Sequence, residues 1–137
     1  MAILVFKDAY VMLNSVDLSD HVKSVSIDYG AAMLDKTAMG DTTTKNIAGL
    51  LDWTINIEFL QDYAAGEVDA TLFPLVGAAE FPIIIKPNGS TTAVANPKFT
   101  GSAVIESYQP MGGSVGDLMM SPVTLKPGTV LARATSD

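Results

Sequence analysis

Between residues 51 and 60 the chain changes polarity at nearly every step. Trp53, Ile55, Ile57 and Phe59 alternate with Thr54, Asn56 and Glu58. Successive side chains of a strand point to opposite faces, so this segment has one large apolar face and one polar face. A helix would scatter the same residues around its axis and bury none of them cleanly. The fold must therefore contain a sheet with one wet side.

The same period recurs. Val25, Ile27 and Tyr29 alternate with Ser24, Ser26 and Asp28, which marks residues 22–29 as a half-buried strand. Residues 10–13 and 16–18 flank Asn14-Ser15, a polar pair suited to a tight hairpin turn. Residues 80–86 read as a strand with Pro82 near its start or on an edge. Residues 98–108 alternate weakly, and residues 118–126 read as the final strand, interrupted by Pro122. Only Val68, Leu72 and Val76 recur at helical spacing, with Glu67 and Asp69 where a helix dipole favours acids. The spacing predicts a short helix near 66–73, limited by Pro74.

Two stretches carry no clear period. Residues 30–49 mix Gly, Ala, Thr, Asp and Asn and read as a long irregular loop, a type that tends to be functional or disordered. Within it Met33, Leu34, Met39 and Ile47 are apolar enough to bury on a partner, which would order the loop. Residues 127–137 read as a loop and flexible tail. Residues 1–137 are thus expected to form one mainly β domain, a β-sandwich or open barrel with one short flanking helix and a long inter-strand loop.

Composition narrows the function. With 48% hydrophobic and 17% charged residues the chain is not of the disordered type. The longest apolar stretches fall short of the ~18 residues a membrane span needs. The opening residues 1–8 lack a basic start and a long apolar run, and do not read as a signal peptide. There are no cysteines, so disulfides, thiolate nucleophiles and Cys-ligated zinc are excluded. The charge is −7, from 15 acidic and 8 basic residues, with Arg133 the one arginine. Too few cations are present to neutralise a row of phosphates, so tight nucleic-acid binding is not expected.

No catalytic constellation emerges, and no enzyme, cofactor or metal site is expected. His21 is the only histidine. Its neighbours Ser19 and Asp20 read as turn residues, because triad members converge from separate elements, and His21 itself reads as an exposed polar residue. Gly112, Gly113 and Gly116 lack the Gly-Lys-Ser/Thr ending of a phosphate loop.

The layout resembles the major tail tube proteins of long-tailed, non-contractile bacteriophages. The residues that carry it are the strand Ser24 to Tyr29, then Leu34-Asp35-Lys36-Thr37 and Met39-Gly40-Asp41-Thr42 in the loop, then Gly49-Leu50 ahead of Trp53. Ala65-Gly66-Glu67-Val68 before the helix and Pro110-Met111-Gly112-Gly113 before the late strand continue it, over roughly 8–130. The resemblance implies a virion structural protein that forms hexameric rings stacked into a tube, assembled in the host bacterial cytoplasm. It implies partners in further copies of the chain and in tape-measure, tail-tip and terminator proteins. DNA would pass along the lumen without tight binding, and no membrane insertion is implied. The long loop would reach a neighbouring subunit, with Met33, Leu34, Met39, Asp41, Ile47 and Leu50 as contact candidates. Asp28, Glu58 and Glu106, on polar strand faces, are the candidates to line the lumen, where like charge would repel DNA. Two alternatives remain: another virion β-domain, such as a capsid decoration or tail-completion protein, or a carbohydrate-binding β-sandwich.

Overall fold

A computed structural model describes residues 8–136, and the opening segment 1–7 and Asp137 lie outside it. Eight strands form one antiparallel sheet: β1 (Tyr10–Leu13), β2 (Val16–Asp17), β3 (Val22–Asp35), β4 (Asn46–Leu60), β5 (Phe81–Lys86), β6 (Lys98–Tyr108), β7 (Met120–Pro127) and β8 (Ala132–Ala134). Their spatial order is β2-β1-β5-β6-β7-β4-β3, and β8 joins β6 alongside β7. The expected β-sandwich or open barrel is met in its open-barrel form, as a single rolled sheet.

Connectivity enforces the rolling. β2 and β3 stand at opposite ends of the order, which in a flat sheet would separate them by six strand spacings, about 29 Å. Only the 3-10 turn Ser19–His21 and its flanks join Asp17 to Val22, a path of at most about 18 Å. The two ends must therefore approach, and one face of the sheet becomes the inside.

That inside is the face the alternation marks. Trp53, Ile55, Ile57 and Phe59 are all buried, together with Val11 and Leu13 of β1, Phe81, Ile83 and Ile85 of β5, and Val123 and Leu125 of β7. Trp53 also donates its indole N–H to the Thr129 carbonyl at 3.0 Å, which satisfies the one polar atom it brings inside. The short helix α1 (Val68–Leu72) packs into the same core. Val68 and Leu72 are fully buried, and Pro74 falls in the 3-10 turn Phe73–Leu75 that ends the segment. Tyr108 of β6 fixes the helix by donating its hydroxyl to Asp69 at 2.8 Å.

The β1–β2 hairpin turns through Asn14 and Ser15, both at positive φ (50° and 66°). Two successive left-handed residues match the right-handed twist of the flanking strands. β5 is an interior strand between β1 and β6, so Pro82 is not on an edge; it is the strand's second residue. Pro122 does not interrupt β7, whose ladder to β4 runs on through the Pro122–Glu58 pair.

Two expectations about irregular segments are corrected. The tail 127–137 is not a free end: residues 132–134 form β8 against β6, and Leu131 is buried. Three small or polar residues are too few to show a period, so the strand was invisible in the sequence. The segment 30–49 is not an irregular loop. β3 and β4 run on past the core as a two-stranded arm, paired to Asp35 and Asn46, and only residues 36–45 lack strand structure.

Candidate assembly surface

The arm owes its form to backbone pairing rather than to a buried face. Met33 pairs with Ala48, Leu34 with Ile47 and Asp35 with Asn46, beyond an irregularity between Ala31 and Met33. Its tip is closed by its own side chains. Lys36 donates its backbone N–H to the Lys45 carbonyl at 2.9 Å, and Lys45 donates its own to Thr37 Oγ1 at 2.8 Å. Asp35 accepts the Thr37 N–H at 2.8 Å, and Asp41 accepts the Ala38 N–H at 2.8 Å while pairing with Lys45 Nζ at 3.1 Å. The bonds from Thr37 hold the Asp35 carboxyl below its usual range, and those from Ala38 and then Lys45 do the same for Asp41. Local hydrogen bonds already hold residues 36–45, so their order does not require a partner.

The arm's side chains are another matter. Met33, Leu34, Ile47 and Leu51 are each more than half exposed, Leu50 is 86% exposed, and Met39 at the tip is fully exposed. Single exposed apolar residues are ordinary, but a run of them on one projecting element marks an interaction surface. Of the six sequence candidates, five present apolar surface to solvent. Asp41 differs, because its carboxylate is spent inside the tip.

The three acidic candidates share the sheet's non-core face. Asp28 lies opposite Thr54 and Glu58 opposite Ser24, two rungs of the β3–β4 ladder with the same parity. Glu106 sits at the register shift between Ile105 and Ser107 in β6 and pairs with Lys126 Nζ at 3.6 Å. Lys126 in turn donates to Thr54 Oγ1 at 3.1 Å, which links Glu106 to the β3–β4 face. Asp28 and Glu106 are exposed, whereas Glu58 is half-buried. A fourth acid, Asp52, was missed. It pairs with Gly30, and the alternation that assigns Thr54 and Glu58 to this face assigns Asp52 to it as well. Ser24, Ser26, Asn56 and Thr124 complete a wall of small polar groups, with Thr124 Oγ1 donating to Asn56 Oδ1 at 3.1 Å.

His21 is not an exposed residue. Only 17% of its side chain meets solvent, and its ring lies among three carboxylates. Nδ1 is 2.8 Å from Asp20, while Nε2 is 3.0 Å from Asp62 and 3.5 Å from Glu67. Burial lowers its pKa, but hydrogen bonds to Asp20 and Asp62 and the nearby charges outweigh burial and leave it raised. An imidazolium donates from both nitrogens, so the protonated ring clasps the turn before β3 to the segment before α1. Ligand atoms of Asp20, His21 and Glu67 lie within 4.8 Å of one another, the one such group among the described residues with metal-ligating chemistry. Asp62 and Glu67 stand 41 and 46 positions from His21 in the chain, a meeting no spacing in the sequence announces.

No family model and no curated protein matches the chain. Solved structures do. One chain of the virion of a native gene transfer agent particle aligns with a TM-score of 0.74 at 13% identity, covering 96% of this chain and 99% of that one. A chain from the tail of an empty gene transfer agent particle, refined with C6 symmetry, aligns at 0.65 and 14% identity over 82% and 81%. A chain from the sheath/tube terminator of an extracellular contractile injection system aligns at 0.70 and 13% identity over 97% of each. The chain therefore has the fold of these tail and tube components, and the resemblance to tail tube proteins read from the sequence holds at the level of the fold.

Proposed function

We propose that this chain is a structural, non-enzymatic subunit of a phage-type tail tube, assembling into hexameric rings that stack around a lumen for DNA. The observation that supports it most directly is the projecting arm. A monomer that keeps Met33, Leu34, Met39, Ile47 and Leu50 in water gains by covering them, and an ordered tip loses little entropy on docking. The likeness in fold to a tail component refined with six-fold symmetry favours a ring as the product.

In this reading the polar face of the sheet lines the lumen. Asp28, Asp52, Glu58 and Glu106 supply negative charge, which Lys126 offsets at Glu106. Like charge and small polar groups would let a polyanion slide without being held. The same reading assigns the chain to the virion tail, assembled in the host cytoplasm, with tape-measure, tail-tip and terminator proteins as partners.

The likeness to a sheath/tube terminator favours a second reading, in which the chain caps a tube as one ring. Negative-stain imaging of the purified chain over a concentration series separates the two. Long hollow tubes with six-fold rings support the tube subunit, and single rings that never stack support the terminator. A stable monomer at every concentration refutes both. Cryo-electron microscopy of the tubes then tests the lumen assignment, which Glu58 on the outer wall would overturn.

A further inference from the structure

The turn after β5 is pinned on both sides of one free residue. Asn88 donates its backbone N–H to Asn96 Oδ1 at 3.2 Å, and its carbonyl accepts from Asn96 Nδ2 at 3.4 Å. The Ser90 carbonyl accepts from Asn96 Nδ2 at 2.9 Å and from Lys86 Nζ at 3.0 Å. Gly89 stands between these anchors, exposed, and its N–H donates to no group among the described residues. Apart from its chain neighbours, no heavy atom lies within 4 Å of where a Cβ would stand.

The Asn88 side chain folds over this residue. Its Oδ1 accepts the Ser90 N–H at 2.9 Å, which closes a ring containing both Cγ and the Gly89 nitrogen. That bond draws electrons away from Cγ and supplies a donor for negative charge developing on Oδ1. An electrophilic carbon is thus held beside an unblocked nitrogen, which favours attack within the chain. The other four asparagines lack this combination. Asn96 precedes Pro97, which has no N–H, and Asn46 and Asn56 precede β-branched isoleucines inside β4. Asn14 precedes Ser15, whose Cβ crowds the nitrogen that would attack.

We propose that Asn88 is a site of self-modification, where the folded turn converts the side-chain amide into a carboxylate. Hydroxide takes the Gly89 amide proton, and the nitrogen bonds to Asn88 Cγ, placing the charge on Oδ1. Collapse breaks the Cγ–Nδ2 bond and releases ammonia, whose added proton comes from water and restores the hydroxide. Water then opens the cyclic imide. Opening at Cγ gives aspartate at position 88, and opening at the backbone carbonyl gives isoaspartate. Either product adds a negative charge to an already acidic chain. Isoaspartate also routes the main chain through Cβ and makes a carboxylate of the carbonyl that Asn96 grips, loosening the β5–β6 connection. The inference concerns the single chain and stands apart from the tube reading.

The test is peptide mapping by mass spectrometry after incubating the full chain in mildly alkaline buffer. Conversion of amide to acid adds about one dalton, and isoaspartate separates from aspartate by chromatography. A parallel sample in concentrated urea gives the rate of the unfolded chain. Asn88 should convert at least about tenfold faster than Asn14, Asn46, Asn56 or Asn96, and no more slowly folded than unfolded. Conversion spread evenly over the asparagines, or slower at Asn88 in the folded chain, overturns the proposal. Gly89→Ala supplies a second readout. Gly89 is not at positive φ and has open space around it, so alanine fits, which thermal unfolding checks. The added methyl should slow conversion at least about tenfold, and an unchanged rate would show that the Gly89 nitrogen is not the nucleophile.

Discussion

Leu50 offers the sharpest test of the arm. It is 86% exposed and lies at the irregular part of the β3–β4 ladder, without a paired residue opposite. Replacing it by serine should therefore leave the monomer's stability within about 0.5 kcal/mol of the parent, as for surface sites with no special geometry. In an assembled tube the same residue would be covered. Fully burying a leucine is worth about 1.5–3 kcal/mol, so with 86% of its surface still in water Leu50 has roughly 1.3–2.6 kcal/mol left to gain. At about 1.4 kcal/mol per decade, Leu50→Ser should raise the critical concentration for polymerisation by roughly ten- to seventyfold. Pelleting over a dilution series measures that concentration, and thermal unfolding of the dilute monomer checks that the fold is intact. An unchanged critical concentration in a variant with unchanged melting temperature would refute the claim that the arm's apolar surface drives assembly.

Other expectations concern the monomer. Ser15→Gly should stabilise it by about 0.5–1 kcal/mol in urea titrations, because Ser15 holds φ at 66° in a turn where glycine fits without strain. His21 has a raised pKa in the folded state, so its contribution is complete below the unfolded value near 6.5 and fades as pH rises through the folded value. His21→Gln should remove that decline from a stability-against-pH curve measured between pH 6 and 9. Tyr108 is pushed up to about 12, first by burial and then by its bond to Asp69, against the lowering effect of Gln61. Ultraviolet titration should show a tyrosine step near that value, and Tyr108→Phe should abolish it.

The sequence was most informative where one face is buried and the other wet. Trp53, Ile55, Ile57 and Phe59 declared β4, and Val68 with Leu72 declared the helix, because burial selects residue type at the period of the element. The arm broke that rule. Both of its faces meet solvent in the single chain, so nothing selects polar against apolar at alternate positions and the strand reads as a loop. β8 was hidden for want of length. The missed acid Asp52 was legible from parity with Glu58, whereas the His21 clasp was not, since its carboxylates arrive from a distant segment through the rolling of the sheet.

The arm also has a consequence for how the chain folds. β3 and β4 are neighbours in sequence, whereas the β4–β7 ladder waits for Leu125 to meet Ile55 across some seventy intervening positions. Hairpins form in microseconds, and long-range pairings are far slower. The nascent chain thus displays its stickiest element before it owns a core, with Leu34 beside Ile47 on an edge that has not yet found its sheet. A cell making many copies at once would meet its greatest aggregation hazard in that interval, and growth temperature or synthesis rate, more than final stability, would govern how much soluble subunit survives.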